Sequence, residues 1–400
     1  MPSPRALCLA RAEGPAPVDQ EIRAYQQSIA RMPQKTDFWI VLGQRWVRKA
    51  RETTDPGYYL NASACADVAL ELEPNYRLAL DLRGLVYLSD HKFAQAAELS
   101  RDILRQAPDD VMALGTLSDA LLEMGRVDEA TAAAQQMNDL KPSLPAYARA
   151  SYLRWLRGDT ASAKTIIRKA MDAGDPKDPE PLAWVLVQAA LIFWHEGDYE
   201  GAEKGFDRAL TAVPDYPPAL VGKARAALGL GDAPRAVKLL EKAHAQSPLV
   251  ETAWLLGDAK EAAGDAKGAE EAYALVVKHG RQIDGRTLAL FFATKNRDLD
   301  EALALAEAEK KTRDDLTTED ALAWVLYRKG RLAEARAAID HATALGTPDA
   351  RILYHAGAIA LSAGDRAGGE KLLRRALELN PAFDRTGAAE AKKLLGQAGG

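Results

Sequence analysis

The chain has 400 residues, of which 48% are hydrophobic and 27% are charged, and its formal net charge at pH 7 is −5. This composition is typical of a folded soluble chain and lacks the basic excess of nucleic-acid-binding proteins. No apolar run reaches the roughly 18 residues of a membrane-spanning helix. Two cysteines are too few for a disulfide framework or a four-ligand zinc site. We therefore expect no nucleic-acid partner and no membrane insertion.

Residues 1–17 are expected to be a disordered tail or a truncated export signal. Ala10-Arg11-Ala12 has the small-residue pattern of a signal-peptidase site. The apolar run before it, residues 6–10, is shorter than the roughly 7–15 residues that export requires. The compartment therefore stays open: cytoplasmic as the chain is written, exported or periplasmic if the signal is truncated.

Internal repeats with a period of mostly 33 or 34 residues dominate the rest of the chain. Each period predicts an amphipathic helix, a glycine turn, and a second helix with a small residue where the two helices cross. The recurring alanines are Ala62, Ala96, Ala130, Ala163, Ala202, Ala236, Ala269, Ala302 and Ala335. The recurring glycines are Gly125, Gly158, Gly197, Gly231, Gly264, Gly330 and Gly364. Asn296 stands where a glycine is expected.

This pattern resembles the tetratricopeptide repeat (TPR) family, whose consensus runs W-x2-L-G-x2-Y, then A-x3-F and P. Trp39-x2-Leu42-Gly43-x2-Trp46 matches its first half, and Ala202, Phe206 and Pro214 follow its second half. The resemblance implies an all-α fold: a right-handed superhelical solenoid of about ten TPR helix-turn-helix repeats with capping helices. Uncharacterised bacterial multi-TPR proteins look similar, and we carry no activity over from them.

The repeat boundaries predict five segments. After the first 17 residues comes an N-terminal capping helix at 18–35. Repeats one to four occupy 36–182, and repeats five to ten occupy 183–383. A C-terminal capping helix and tail complete the chain at 384–400. In such an array, contacts are expected only between neighbouring repeats.

A candidate binding surface follows from the helical register. In the TPR family, positions 2, 5, 9 and 12 of each first helix line the concave groove, and here these positions are rich in aromatic residues and arginine, the residue types of binding hot spots. The candidates are Tyr152, Trp155, Trp184, Trp194, Arg225, Trp254, Arg286, Trp324, Tyr327, Arg351 and Tyr354. The alternative is that these rings only pack between neighbouring first helices.

Motifs of catalysis and metal binding are not found in the sequence. His195-Glu196 lacks the second histidine of H-E-x-x-H, and no nucleophile-elbow or P-loop motif occurs. His341 and His355 are expected to have no Cys or carboxylate cluster beside them. We therefore expect no enzyme activity, no cofactor and no metal.

Two functions remain open. The first is a non-enzymatic protein–protein interaction scaffold, which holds a peptide or a partner helix in its concave, aromatic-lined groove. The alternative is a self-associating structural array or assembly accessory protein, in which the N-terminal helix with Ile22, Tyr25 and Ile29 inserts into a neighbour's groove.

Overall fold

The computed structural model describes residues 2–398, and the side chains of residues 2–396. Within this range the chain consists of helices and turns, without any strand. The helices are α1 Pro4–Cys8, α2 Pro17–Arg31, α3 Thr36–Thr53, α4 Tyr58–Leu72, α5 Arg77–Ser89, α6 Phe93–Gln106, α7 Val111–Glu123, α8 Val127–Leu140, α9 Leu144–Leu156, α10 Thr160–Asp172, α11 Pro179–His195, α12 Tyr199–Ala212, α13 Pro217–Gly229, α14 Ala233–Gln246, α15 Val250–Ala262, α16 Ala266–Ile283, α17 Gly285–Thr294, α18 Leu299–Lys310, α19 Leu316–Arg328, α20 Leu332–Thr343, α21 Ala350–Ser362, α22 Arg366–Leu379 and α23 Arg385–Ala398.

The predicted helix pairs are confirmed, because α3 to α22 follow the ten repeats two by two. All nine recurring alanines are buried, at most 2% exposed, as expected where two helices cross closely. The seven recurring glycines adopt φ values of 72–88°, a left-handed turn that favours glycine. His91 and Asn296 adopt the same conformation, at φ 57° and 53°, so the turn geometry persists without glycine.

Contacts divide the chain into two compact units, residues 1–146 and 147–400. This boundary lies inside the fourth repeat, whereas the segments predicted from the sequence divide the array between residues 182 and 183. The core of the first unit is built around two tryptophans, Trp39 and Trp46, both about 1% exposed.

The N-terminal residues differ from the expected tail. Helix α1 is ordered and packs on α4, and Cys8 forms a disulfide with Cys65. The Trp46 indole N–H donates to the Cys8 carbonyl oxygen at 2.9 Å, and Asn61 donates to the Leu7 carbonyl at 2.7 Å. Cys65 is thus a covalent anchor for residues that were expected to form a tail or a truncated export signal.

The second unit contains contacts that a nearest-neighbour array lacks. Thr347 donates its hydroxyl hydrogen to the Leu156 carbonyl oxygen at 2.5 Å. Asn380 accepts from the Tyr199 hydroxyl at 2.6 Å and donates to the Trp194 carbonyl at 2.8 Å. We call these three hydrogen bonds the closing contacts. They join repeats four and five to repeats nine and ten, so the expectation that only neighbouring repeats touch is wrong for this unit.

Glycine permits the close approach at one of these contacts. A Cβ atom at Gly158 would lie 2.9 Å from the Gly346 carbonyl oxygen, closer than real Cβ atoms come. The left-handed φ of 75° at Gly158 serves the turn between α9 and α10 as well. In the described residues, no helix is both long and apolar enough to cross a membrane.

Candidate partner-binding surface

The candidate site lies on the first helices of the repeats in the second unit, α9, α11, α13, α15, α17, α19 and α21. We call the side of these helices that carries positions 2, 5, 9 and 12 the inner surface. All eleven candidate residues lie on these seven helices. The structure brings most of them into two aromatic clusters and one cluster of charged groups.

The first aromatic cluster joins α9 to α11. Trp155 stacks on Tyr152 with ring centroids 5.9 Å apart, and it lies 4.7 Å from the His195 ring. His195 also meets the Trp194 ring edge-on at 5.0 Å. The Arg225 guanidinium lies 5.3 Å from the Trp194 ring centroid, a cation–π arrangement.

The second aromatic cluster joins α19 to α21. The Trp324 ring stacks on His355 at 4.0 Å, and it lies 5.0 Å from Tyr327 and 5.3 Å from Tyr354. Tyr354 donates its hydroxyl hydrogen to Glu390 at 2.8 Å. This cluster therefore links the ninth and tenth repeats to the C-terminal capping helix α23.

The remaining aromatic candidates lie apart from these clusters. Trp254 is partly buried and packs against Phe291 at 5.4 Å. Trp184 is 42% exposed and Tyr152 is 43% exposed, whereas Trp155, Trp194, Trp324 and Tyr354 are buried. Packing between neighbouring first helices thus describes the buried rings, and Trp184 and Tyr152 are the candidate rings that face solvent.

Three arginines form the charged cluster. Arg225 pairs with Glu251 at 2.5 Å. Arg286 donates to the Thr317 hydroxyl at 2.8 Å and pairs with Asp315 at 3.3 Å. Arg225, then Arg351 and Arg286, hold the pKa of Glu251 below its usual range. Of the three arginines, Arg225 is the one that bonds Glu251, whereas Arg286 pairs with Asp315 and Arg351 lies 3.9 Å from Asp320.

A histidine–aspartate pair connects the charged cluster to the first aromatic cluster. His195 Nδ1 lies 3.8 Å from an Asp349 carboxylate oxygen, across the repeats that the closing contacts join. Burial lowers the pKa of His195, so the neutral imidazole is favoured near pH 7. Asp349 itself caps α21, because its carboxylate accepts from the backbone N–H groups of Arg351 and Ile352.

The tryptophans differ in how their indole N–H groups are used. In the first unit, Trp39 and Trp46 donate to backbone carbonyl oxygens at 3.0 and 2.9 Å. On the inner surface, the buried indole nitrogens have no hydrogen-bond acceptor among the described residues; these belong to Trp155, Trp194, Trp254 and Trp324. Buried tryptophans usually satisfy this group, so these four indoles differ from those of Trp39 and Trp46 in lacking an acceptor.

Sequence reasoning missed the acidic and histidine members of this surface. Glu251 is at position 2 of its repeat, one of the four positions that define the inner surface. The rule that selected the arginines could therefore have found it. Asp320 pairs with His355 at 2.7 Å, a contact between consecutive first helices. Asp349 and His195 meet only because the second unit closes, which no local pattern reports.

The statement that no carboxylate cluster accompanies His341 is also corrected. His341, Asp314 and Glu319 bring one nitrogen and two carboxylate oxygens within 4.8 Å of one another. Lys310 forms ion pairs with both carboxylates. The ammonium group of Lys310 therefore offsets one of the two negative charges of this cluster.

Comparison with known proteins agrees with this architecture. Two family models described as tetratricopeptide repeat match the chain, one at residues 87–151 and 193–242 and the other at 221–282 and 321–382. Together they cover more than half of the chain. The chain belongs to the tetratricopeptide repeat family.

Particular relatives are more distant. A curated relative, cellulose synthase operon protein C of Pseudomonas fluorescens (strain SBW25), is 31% identical over 140 residues, which are 33% of this chain and 11% of that protein. The chain thus matches about a ninth of that protein's length. Human IFIT1, solved with m7Gppp-AAAA, has a TM-score of 0.51 at 14% identity and covers 90% of this chain and 86% of its own. PilW, a type IV pilus biogenesis factor, has a TM-score of 0.44 at 21% identity over 52% of this chain and 94% of its own. The IFIT1 likeness concerns the fold alone.

Proposed function

We propose that this protein is a non-enzymatic interaction scaffold, and that a protein partner binds as a peptide or helix on the inner surface of the second unit. The observation that carries the proposal is the exposure of two rings, Tyr152 and Trp184, on the surface whose helices also carry Arg225, Arg286 and Arg351. Arginine, tyrosine and tryptophan supply most of the binding energy at protein interfaces. Known TPR proteins generally mediate protein interactions, and this supports the class of partner.

The exposed and buried rings have different roles in this proposal. Tyr152 and Trp184 are solvent-exposed and are the rings that a partner can cover directly. Trp155, Trp194 and Trp324 are buried and hold the arginine-bearing helices in register. The eleven candidates of the sequence thus divide into contact residues and supporting residues.

Self-association through the N-terminal helix has less support. Ile22 and Ile29, the proposed inserting residues, are at most 2% exposed and belong to the core of the first unit. Tyr25 packs on Phe38 with ring centroids 6.4 Å apart. The apolar stripe is thus used inside its own chain, and we expect a molar mass that does not change with concentration.

Site-specific photo-crosslinking tests the proposal. A benzophenone amino acid placed at Tyr152 or Trp184 in cells of the native organism should crosslink one common protein. The matched control is the same amino acid at Lys238, which is exposed on the second helix α14. Crosslinks of that protein from position 238 alone, or different proteins from 152 and 184, would show that the inner surface is not the binding site.

A further inference from the structure

We propose that the second unit opens at its closing contacts to admit a partner segment, and that the closed form keeps such a segment away from the middle of the inner surface. We call the junction that the closing contacts make, between repeats four and five on one side and repeats nine and ten on the other, the seam. This inference rests on the proposed function, because it describes how a partner reaches the surface assigned to it there.

The inside of the closed second unit is narrow. His195 Nδ1 on α11 lies 3.8 Å from a carboxylate oxygen of Asp349 at the start of α21, five first helices further on. Arg385 Nε on α23 lies 3.9 Å from a carboxylate oxygen of Glu261 on α15, although three first helices lie between these two helices. Packed helices are 8–10 Å apart, so a flat array would separate α15 from α23 by more than about 30 Å.

This narrowness limits what can enter. An α-helix with its side chains is about 10–12 Å wide, and it does not fit where the ion pair of Arg385 and Glu261 spans the interior. Water does enter, since the Glu251 side chain is 58% exposed. The closed form therefore admits small molecules to the middle of the inner surface and excludes a partner segment.

The seam is made by helix ends, turns and loops. Among the described residues, no helix of repeats four and five packs along a helix of repeats nine and ten. Backbone instead approaches backbone at Gly197, where a Cβ atom would lie 3.1 Å from the Leu379 carbonyl oxygen. A cleft of about 240 Å³ remains between the two sides, lined by Gly158 and Thr160 on one and by Gly346 on the other. The two sides are thus joined locally and packed incompletely.

Apolar burial is concentrated on either side of the seam. One apolar cluster lies in repeats five and six, between Ala183 and Ala226, and another lies between Val250 and Ala391. Ala382 is the residue that the tenth-repeat side adds to the first of these clusters. Opening the seam therefore exposes little apolar surface, and water replaces the broken hydrogen bonds at a modest net cost. Small rotations between neighbouring repeats add up along a solenoid, so the sides can separate while each cluster stays intact.

Cysteine labelling of the full chain measures access by size. The two native cysteines are buried and joined in a disulfide, so Glu251→Cys supplies a single reactive thiol inside the second unit. N-ethylmaleimide is the small reagent, and a maleimide on a rigid gold nanocluster wider than an α-helix is the bulky one. The matched control is Lys238→Cys, at an exposed position of the second helix α14. The ratio of bulky to small labelling rates at each position removes differences in thiol reactivity.

We expect this ratio to be at least about tenfold lower at position 251 than at position 238, because labelling of a transiently opened form follows its population. Tyr199→Phe with Thr347→Val removes closing hydrogen bonds but keeps the shapes of both side chains. The double variant should raise the ratio at position 251 about tenfold, and each single variant should raise it less.

A hydrogen bond within one repeat provides the matched control for the double variant. Ser151 is similarly buried, and its hydroxyl donates to the Ala163 carbonyl oxygen at 2.8 Å inside the fourth repeat. Ser151→Ala should leave the ratio at position 251 unchanged. Circular dichroism should show the same helical content in all of these variants, since none removes a core side chain.

The outcomes are distinct from those of the crosslinking test. Equal ratios at positions 251 and 238 in the chain with an intact seam overturn this inference, and so does a ratio at position 251 that the double variant leaves unchanged. If crosslinking at Tyr152 and Trp184 captures one partner while the ratios are equal, the proposed function stands and the gated seam is wrong. If the double variant raises the ratio but those positions crosslink nothing, the seam opens and the partner surface is wrong.

Discussion

At the scale of single residues, the tryptophans show how one residue type serves packing at one place and solvent-facing contact at another. Trp39 is buried in the first unit and its indole N–H donates to the Pro33 carbonyl at 3.0 Å. Trp184 is 42% exposed on the inner surface. Burial, rather than register, decides what the loss of each ring costs.

We expect Trp39→Ala to destabilise the first unit by about 3–5 kcal/mol, because it leaves a large cavity and an unpaired carbonyl. Trp184→Ala should cost less than about 1 kcal/mol, since little buried area is lost, and it should weaken partner binding. Chemical denaturation of both variants measures the first difference. Equal destabilisation by the two substitutions would contradict the separation of core from contact tryptophans.

Asp81 supplies a pH-dependent prediction for the first unit. It is 5% exposed, and neither carboxylate oxygen has a hydrogen-bond partner among the described residues. Burial, reinforced by Asp110, raises its pKa to about 7. A raised carboxyl pKa means that the folded state binds more protons than the unfolded state between about pH 4 and 7. The free energy of unfolding of the first unit therefore falls as the pH rises through that window, because the buried carboxyl group of Asp81 becomes charged.

Asp81→Asn should consequently stabilise the first unit by about 1–3 kcal/mol at pH 8, with the gain limited by the cost of a buried amide. At pH 4 the gain should vanish, because the native aspartate is then protonated. The test is urea unfolding followed by ¹⁹F NMR of 5-fluorotryptophan at positions 39 and 46, both in the first unit. A stabilisation that is equal at the two pH values would show that Asp81 is not forced to remain neutral.

At the scale of elements, α1 depends on a covalent bond that pattern reading does not detect. The disulfide between Cys8 and Cys65 joins residues 57 positions apart, and the apolar contacts of α1 with α4 and the Trp46 hydrogen bond accompany it. Closing a loop of this length lowers the conformational entropy of the unfolded chain, which stabilises the folded state.

Cys8→Ser with Cys65→Ser should lower the free energy of unfolding of the first unit by about 2–4 kcal/mol. Hydrogen exchange should accelerate in residues 4–12 and in α4, and stay unchanged in residues 147–398. Limited proteolysis provides the control, with cleavage expected in the N-terminal segment of the variant alone. Protection of residues 4–12 that persists in the variant would mean that packing suffices without the disulfide.

The closing contacts make a second prediction for elements. Asn380 is fully buried and bonds both Tyr199 and the Trp194 carbonyl. Asn380→Ala should cost about 1–3 kcal/mol, because it leaves these groups unpaired in a buried place. Hydrogen exchange should accelerate around residues 194–199 as well as 379–382. Loosening confined to the tenth repeat would show that the distant contact contributes no stability.

Local patterns predicted the elements well because their causes are local. A small residue at the helix crossings and a glycine at seven of the turns recur with the period of the repeat, and burial and φ values confirm both. The disulfide of Cys8 and the contact of Asn380 with Tyr199 were not predicted. Both join residues that are far apart in sequence. The repeat period does not show which distant parts of the chain come into contact. The contact between His195 and Asp349 was missed for the same reason.

At the scale of the whole molecule, the two units differ in the contacts that stabilise them. The first unit is built on a tryptophan core with a disulfide-anchored N-terminus, whereas the second carries the eleven candidate residues and the closing contacts. The closing contacts join the C-terminal ends of α9 and α11, which carry four of the candidate residues, to the ninth and tenth repeats.

The central claim is that a partner binds on the inner surface of the second unit. Hydrogen exchange of the full chain, measured with and without the partner that crosslinking identifies, tests this claim most directly. We predict that binding slows exchange in the first helices α11, α13, α15 and α21, which carry Trp184, Arg225, Glu251 and Arg351, and leaves the second helices of the same repeats unchanged. Protection confined to second helices, or to residues 1–146, would contradict the assignment of the inner surface of the second unit as the binding site.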